Sequence, residues 1–203
     1  MRIAFYAPLK SPNHPVPSGD REMARLLIRA MERAGHDVEV VSELRSFVKS
    51  PGGDIQSQIS NNAVEERRRL GKLWQGRDRP DLWFTYHPYY KAPDLLGPDL
   101  ARMFELPYVT AEASYSPRRD EGEWRAQQSQ VVDGVRQAAV NICFTQRDET
   151  GLAQIVDSER LRRLPPFIDV AAFSAEPDAV DPGALVSVAM MRPGDKLESY
   201  RML

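Results

Sequence analysis

Cysteine, histidine and long apolar runs are scarce in this sequence, and each scarcity excludes a class of protein. The single cysteine, Cys143, excludes a disulfide framework and suits a reducing compartment. Its place in the apolar run 140–144 indicates an inert core thiol. The three histidines, His14, His36 and His87, lie in separate segments, so the sequence predicts no metal site. No apolar run approaches the roughly 20 residues that a membrane-spanning helix needs.

A large net charge and phosphate-binding fingerprints are missing as well. The formal net charge is -2, which argues against non-specific binding of nucleic acid. Neither G-x-G-x-x-G nor the Walker pattern occurs, which disfavours an unrelated nucleotide-binding α/β protein. The basic run 67–69 follows Glu65 and Glu66 and is either a solvated helix face or a patch that contacts a membrane or a phosphate. The first residues have the pattern of a strand rather than of a signal peptide. We therefore expect a cytoplasmic protein, with the inner face of the membrane as a second location.

The segment 2–42 predicts the unit around which the rest of the chain is organised. Its parts are an apolar run at 3–7, a proline-rich loop, an amphipathic helix over 19–34 and a second apolar run at 38–41. The helix carries apolar residues at i, i+3, i+4, i+7, i+8 and i+11, beginning at Met23. Ser18 is its expected N-cap and Gly35 its expected stop. This order predicts a right-handed βαβ unit with two parallel strands.

The loop before this helix is the first candidate binding segment. It lies at the carboxyl end of the first strand, where open α/β sheets bind ligands, and it is longer than most connections of its kind. Four prolines stiffen it. Gly19 would let a ligand approach the start of the helix, and Asp20 belongs to the same first turn. An ordinary capped connection is the alternative interpretation.

The remaining sequence alternates helix and strand patterns. Helices are expected over 56–75, from near Ala92 to 104, over 121–138 and from 146 to 156, and strands at 82–85, 107–111, 140–144 and 162–164. The fold class predicted is α/β, a Rossmann-like doubly wound parallel sheet. We expect an N-terminal domain at 1–173, a linker at 174–183 and, at 184–203, the start of a second domain too short for a core of its own.

Several side chains just past the predicted strands are candidates for a cleft. His87 is either a cleft residue or a capped surface histidine, and Glu112 is either a cleft acid or a loop residue with ordinary hydrogen bonds. Tyr89 and Tyr90 could stack on a sugar ring or pack under the next helix. Arg118, with Arg119 beside it, is either solvated or a contact for a phosphate on the acceptor.

Five motifs in order resemble the family 4-like glycosyltransferases of the GT-B fold, which have two Rossmann-like domains facing each other across a cleft. Residues 1–41 resemble the family's opening strand, loop and helix. The other four stretches are PDLWFTYH at 80–87, similar to "PDLVHTH"; PYVTAEAS at 107–114, similar to "PYVVTEHS"; LPPFID at 164–169, similar to "IPNGVD"; and VAMMRPGDK at 188–196, similar to "VGRLVPEKG". Together they span nearly the whole chain.

The resemblance implies transfer of a sugar, with retention at the anomeric carbon, from a nucleotide-diphosphate sugar to an unknown saccharide or lipid-linked acceptor. It implies no other cofactor. Arg192 and Lys196 stand near the family's phosphate-binding cations, although Met190 occupies the usual place of the arginine. Ala113 stands where the family has a histidine, which moves that polar role to Glu112 or His87.

The same resemblance implies that this chain is one half of a GT-B enzyme. Most of the donor-binding domain is not in the sequence, so we expect an incomplete and inactive fragment whose partner is the missing C-terminal domain. A peripheral contact with a membrane is a further expected interaction. The alternative function is a non-catalytic module that binds an acceptor or docks on another chain.

Overall fold

The computed structural model describes residues 1–76, 79–173, 183 and 195–201. The chain divides into two compact units, Met1–Ile168 and Asp169–Leu203. Strands of the first unit are β1 (Arg2–Tyr6), β2 (Asp37–Val40), β3 (Leu82–Tyr86), β4 (Tyr108–Ala111), β5 (Val140–Cys143) and β6 (Leu161–Arg163). Its helices are α1 (Gly19–Arg33), α2 (Gly53–Trp74), α3 (Gly97–Met103), α4 (Arg125–Gln137) and α5 (Gln146–Leu152). The second unit has a 3₁₀ turn at Val170–Phe173 and helix α6 at Asp195–Arg201.

These strands form one parallel sheet in the order β2-β1-β3-β4-β5-β6. The predicted fold class is therefore confirmed: the first unit is a Rossmann-like doubly wound α/β domain. The strand order reverses at β1, which lies between β2 and β3. Sheets of this kind bind ligands at that reversal, outside the carboxyl ends of the strands.

The predicted βαβ unit is confirmed at the level of individual residues. The Ser18 side chain accepts a hydrogen bond from the Arg21 amide and caps α1, and Asp20 adds a carboxylate to the positive first turn. Gly35 follows the helix at φ 83°, a left-handed conformation that glycine adopts without steric cost. Leu27 is buried against the sheet, as the apolar stripe predicts.

Alternate side chains of the strands face two different helical layers, as the period of two requires. Ile3 and Phe5 pack in a cluster with Leu27 of α1. Ala4 and Tyr6 pack in a second cluster with residues of α2 and α3. The covering of both faces explains why the central strands are continuous apolar runs rather than alternating ones.

The expected start of α3 near Ala92 is wrong, because the helix begins at Gly97. A buried carboxylate, Asp94, accepts hydrogen bonds from the amides of Leu96 and Gly97 and ends the preceding loop. That loop is closed by a bridge between Tyr89 and Ala92. The consequence is a compact turn that presents the two tyrosines directly after β3.

The apolar pattern of the helix expected over 56–75 predicts Leu73 on the inner face, and this prediction is wrong. Leu73 is 46 % exposed, whereas Trp74, next to it in the sequence, is buried. Predictions for the end of the chain lie outside the described residues: they concern the strand at 184–190, most of the linker, and Arg192. Lys196 belongs to α6, but its side chain lies outside the described part.

Candidate functional site

Three polar side chains meet at the edge of the sheet where the strand order reverses. Asp20 comes from the first turn of α1, His87 directly follows β3, and Glu112 directly follows β4. His87 Nδ1 lies 3.0 Å from Asp20 Oδ1 and 3.8 Å from Glu112 Oε2. We call these three residues the edge cluster. The structure thus brings together predicted site residues that are far apart in the sequence.

The backbone at two members of the edge cluster is held in an uncommon conformation. His87 has φ 58° and Glu112 has φ 57°, in the left-handed region that residues with a Cβ avoid. Hydrogen bonds of 2.8 Å hold both: the His87 amide donates to the Ala111 carbonyl, and the Glu112 amide donates to the Ile142 carbonyl. Residues in this conformation persist only where the surrounding structure maintains the strain. They are frequent at functional sites.

The electrostatics of the edge cluster favour an ionised pair. The hydrogen bond to His87 lowers the pKa of Asp20 from 3.8, against the opposing effect of burial. Burial acts to lower the pKa of His87. The hydrogen bond to Asp20 and the charges of Glu112, Asp20 and Asp148 outweigh that effect, and the pKa of His87 is raised from 6.5. The cluster therefore supports an imidazolium between carboxylates.

Two further groups complete the surroundings of His87. Burial, with the charge of Glu112, raises the pKa of Tyr86, so its phenol stays neutral and can hydrogen-bond the Glu112 carboxylate. Asp148 lies in the first turn of α5, where it forms a capping box with Thr145. That turn contributes a third carboxylate to the field at His87.

A row of aromatic rings runs from the edge cluster to a pair of cations. The His87 and Tyr89 ring centroids are 5.3 Å apart, Tyr89 and Tyr90 5.4 Å, and Tyr90 and Trp124 4.9 Å. The Arg119 guanidinium lies 4.4 Å from the Tyr90 centroid, and Lys91 Nζ lies 5.4 Å from that of Trp124. We call Tyr89, Tyr90 and Trp124 with these two cations the aromatic row.

The other predicted residues stand in different places. Gly19 is exposed at the start of α1, and a Cβ there would meet no described atom within 4 Å. Arg118 is exposed in the 3₁₀ turn Pro117–Arg119, and no described contact joins it to the edge cluster. Ala113 is fully buried in a cluster with Val131 of α4. A side chain at that position faces the core, while Glu112 before it reaches the cleft edge.

Arginines of α1 hydrogen-bond to the proline-rich loop beside this site. Arg21 donates to the carbonyls of His14 and Pro15, and Arg25 donates to the carbonyl of Pro12. The loop is thereby held against the helix whose first turn carries Asp20. This arrangement places a backbone rich in proline at the carboxyl end of β1, as the sequence predicts.

Residue-by-residue reasoning missed part of the site. Tyr86 occurs only within a family motif, and no motif includes Lys91. Trp124 falls inside the helix expected over 121–138, whereas in the structure it belongs to a 3₁₀ turn before α4. The available signal was composition: three aromatic residues and a lysine stand within residues 86–91. Nothing in the sequence relates this stretch to Trp124, since only the folded chain brings them within 5 Å.

The basic run of α2 is largely neutralised by its neighbours. Arg67 pairs with Asp99, Arg68 with Glu65 and Arg69 with Glu66. These contacts favour the interpretation as a solvated helix face. In the described part of the chain, no helix is long and apolar enough to cross a membrane.

The described residues contain no metal-binding cluster and one buried thiol. No group of three or more His, Cys, Asp or Glu side chains among them is arranged to hold a metal ion. Burial raises the pKa of Cys143 to about 11, so this thiol stays protonated inside β5.

Comparisons with known proteins identify similar folds. No protein-family model and no curated protein match the sequence. Solved structures do match. Anabaena Alr3699/HepE in complex with UDP is 14% identical with a TM-score of 0.50 over 87% of this chain and 47% of its own. The same protein with UDP and glucose gives 16% identity at the same TM-score and coverage. S. aureus MnaA with UDP is 16% identical with a TM-score of 0.50, over 79% of this chain and 43% of its own.

These likenesses concern the fold alone, because the identities are low. The chain spans about half the length of the solved structures that it matches. The protein class that fold and site define is a Rossmann-like α/β domain with an acid–histidine cluster at its topological switch point.

Proposed function

We propose that this chain is the acceptor-side half of a GT-B glycosyltransferase, of the family 4-like kind that its motifs resemble. It would take part in retaining transfer of a sugar from a nucleotide diphosphate to an acceptor. The observation that carries the proposal is the edge cluster: Asp20, His87 and Glu112 converge at the position where sheets of this order bind ligands. The solved structures that the chain resembles are about twice its length and contain UDP, and this similarity supports the fold that the proposal assumes.

The geometry of His87 suits general base catalysis. Asp20 orients the ring through Nδ1, and no described residue hydrogen-bonds the other ring nitrogen, Nε2. Above the raised pKa of His87 the ring is neutral, and Nε2 can then accept the proton that a hydroxyl group of the acceptor loses when its oxygen bonds to the anomeric carbon. The carbon–oxygen bond to the diphosphate breaks in the same reaction, and its electron pair leaves with the phosphate. For retention, the acceptor oxygen bonds to the anomeric carbon on the face from which the diphosphate departs. Asp20 and Glu112 stabilise the resulting imidazolium.

Stabilisation of the leaving diphosphate falls to the C-terminal, donor-binding half of the enzyme. Negative charge develops on it during transfer, and fixed cations stabilise that charge best. We assign this role to Arg192 and Lys196 on the basis of the motif at 188–196. The nucleotide-diphosphate sugar is the donor substrate, and the proposal includes no further cofactor.

Under this proposal, activity requires the donor-binding domain as well as this chain. Cations stabilise a transition state chiefly when a surrounding scaffold holds them in place beforehand. We therefore expect the 203-residue chain alone neither to bind a nucleotide sugar with micromolar affinity nor to transfer the sugar. The same chain joined to a donor domain of a family 4-like enzyme should do both.

Calorimetry with UDP- and GDP-sugars on both forms tests the proposal. In the joined protein, His87→Asn should lower turnover far more than it weakens donor binding, because it removes the base. Asn is the matched replacement, since it tolerates the left-handed backbone at this position. Arg68→Gln, a change of one charge in the ion pair with Glu65, is the control and should leave both unchanged.

Two results would overturn the proposal. One is micromolar binding or turnover of a nucleotide sugar by the 203-residue chain alone. The other is a joined protein that transfers sugar equally well with and without His87.

An acceptor-binding module without catalysis is the second candidate. It is favoured by the fact that the edge cluster and the aromatic row lie entirely within the unit Met1–Ile168. A joined protein that binds acceptor and donor but never transfers sugar would decide for this candidate.

A further inference from the structure

The aromatic row combines half-buried aromatic residues with positive charge that no carboxylate of the described residues neutralises. Tyr89, Tyr90 and Trp124 are each half-buried, so all three residues remain partly accessible. Within the described residues, neither Lys91 nor Arg119 forms an ion pair. Both side chains lie against rings of the row, and Arg119 also donates to the Tyr90 hydroxyl group at 3.4 Å.

This arrangement differs from that of the arginines of α2, which all pair with carboxylates. A guanidinium stacked on a ring has lost much of its conformational freedom, but it keeps its N–H donors in a planar fork. Such a fork fits the oxygens of a phosphate, and binding then costs little additional side-chain entropy. Lys91, on the neighbouring ring, adds a second positive charge.

The charge of the row favours a phosphate over a carboxylate. A phosphate monoester carries between one and a half and two negative charges near neutral pH, roughly matching two cations. A carboxylate carries one. The accessible rings add a surface on which the apolar face of a ring-shaped group can stack.

We propose that the aromatic row binds the phosphate group of a phosphate-bearing acceptor, with Lys91 and Arg119 contacting the phosphate and Tyr89, Tyr90 and Trp124 contacting the adjoining ring. The inference rests on the proposed function, because it names the acceptor class of the same site. The row begins 5.3 Å from the His87 ring. An acceptor held in this way presents a hydroxyl group to the edge cluster while its phosphate lies at the far end of the row.

Trp124 supplies a direct readout of binding. The other two tryptophans, Trp74 and Trp83, are buried, so quenching of fluorescence by acrylamide reports mainly on Trp124. The probe is phenyl phosphate, titrated into the 203-residue chain. Phenyl β-glucoside and benzoate serve as the neutral and the carboxylate comparison. We expect saturable protection by phenyl phosphate and at least several-fold weaker protection by the other two.

Variants distinguish specific contact from net charge. Arg119→Gln and Lys91→Gln should each weaken phenyl phosphate binding roughly tenfold, since each removes a charge-assisted hydrogen bond. Arg118→Gln changes the net charge equally, one residue away and without ring contacts, and should change binding by less than about twofold. Circular dichroism and chemical denaturation of each variant check that the fold is retained.

The phosphate could belong to a soluble sugar phosphate or to a lipid-linked saccharide. Sedimentation with phosphatidylcholine vesicles containing phosphatidic acid, whose headgroup is a phosphate monoester, tests the second source, and pure phosphatidylcholine vesicles are the control. Protection by phenyl phosphate that depends on Arg119 supports the inference, with vesicle binding assigning the lipid-linked source and its absence the soluble one. No saturable protection, protection equal to that by benzoate, or equal effects of Arg118→Gln and Arg119→Gln would overturn it.

This test is independent of the donor. If the joined protein fails to bind or transfer a nucleotide sugar while phenyl phosphate still protects Trp124, the proposed function fails and the phosphate site stands. If transfer occurs but phenyl phosphate has no effect, the acceptor carries no phosphate at this row and the inference fails alone.

Discussion

His87 and Glu112 occupy corresponding positions on neighbouring strands and share one backbone conformation. Tyr86 and Ala111, the last residues of β3 and β4, are partners in the parallel register, so the residues that follow them leave the sheet side by side. Their φ angles are 58° and 57°. Two strained residues in equivalent places turn their side chains toward a common point, which is the geometric origin of the edge cluster.

The strain at Glu112 can be measured by a pair of substitutions. The Glu112→Gly variant should be more stable than Glu112→Ala by about 1 kcal/mol, because only glycine adopts this φ without steric cost. Chemical denaturation gives the free energies of unfolding. The same pair at Ser129, an exposed position within α4, should give the opposite order by a similar amount. A preference for alanine at both positions would contradict the strained geometry.

The pair of His87 with Asp20 should make stability depend on pH. The pKa of His87 is raised, so its contribution is fully present below 6.5 and is lost as pH rises through the folded value. The pKa of Asp20 is lowered, so its contribution is present above 3.8 and is lost as pH falls through the folded value. Stabilisation by the pair is therefore complete between those two ordinary values.

NMR titration of the His87 ring protons measures this coupling. Asp20→Asn should lower the pKa of His87, because it removes the hydrogen-bonded carboxylate that favours the charged ring. Glu22→Gln removes a charge from the same helical turn, but Glu22 pairs with Arg29 rather than with His87. This variant should leave the pKa of His87 unchanged. An unchanged His87 titration in the Asp20→Asn variant would exclude the pair.

Leu27 of α1 is buried, whereas Leu73 of α2 is largely exposed. Leu27 is 4 % exposed and Leu73 is 46 % exposed, although both fit the apolar pattern of their helices. Leu27→Ala should lower the free energy of unfolding by roughly 2–5 kcal/mol, and Leu73→Ala by less than about 1 kcal/mol. Urea denaturation measures both. Equal losses would show that the helix faces are assigned wrongly.

The buried carboxylate that sets the start of α3 should be essential to the fold. Asp94 accepts hydrogen bonds from two backbone amides and from the side chains of Thr85, Trp83 and Tyr108. Asp94→Asn replaces an acceptor with a donor facing other donors, and we expect a loss of roughly 3 kcal/mol or more. Asp99→Asn, at an exposed position of α3, is the control and should cost less than about 1 kcal/mol. Similar midpoints of thermal unfolding would contradict this role.

Local signals in the sequence determined the alternation of elements and the βαβ unit. The stripe beginning at Met23, the Ser18 cap and the Gly35 stop act within a few residues, so they can be recognised without the rest of the chain. The parallel sheet follows from the same signals, because short connections through a helix permit essentially one hand. The position of His87 and Glu112 past the ends of two strands was also predictable for this reason.

The tertiary structure alone decided which of those residues touch. Nothing local indicates that Asp20 meets His87, since their contact depends on how β1 and β3 become neighbours in the sheet. The start of α3 at Gly97 depends on Asp94 finding donors on β3 and β4. Trp124 reaches Tyr90 only because α4 and the turn before it pack beside the loop after β3. A linear pattern records which face is apolar, whereas contacts over long sequence separations record which surfaces meet.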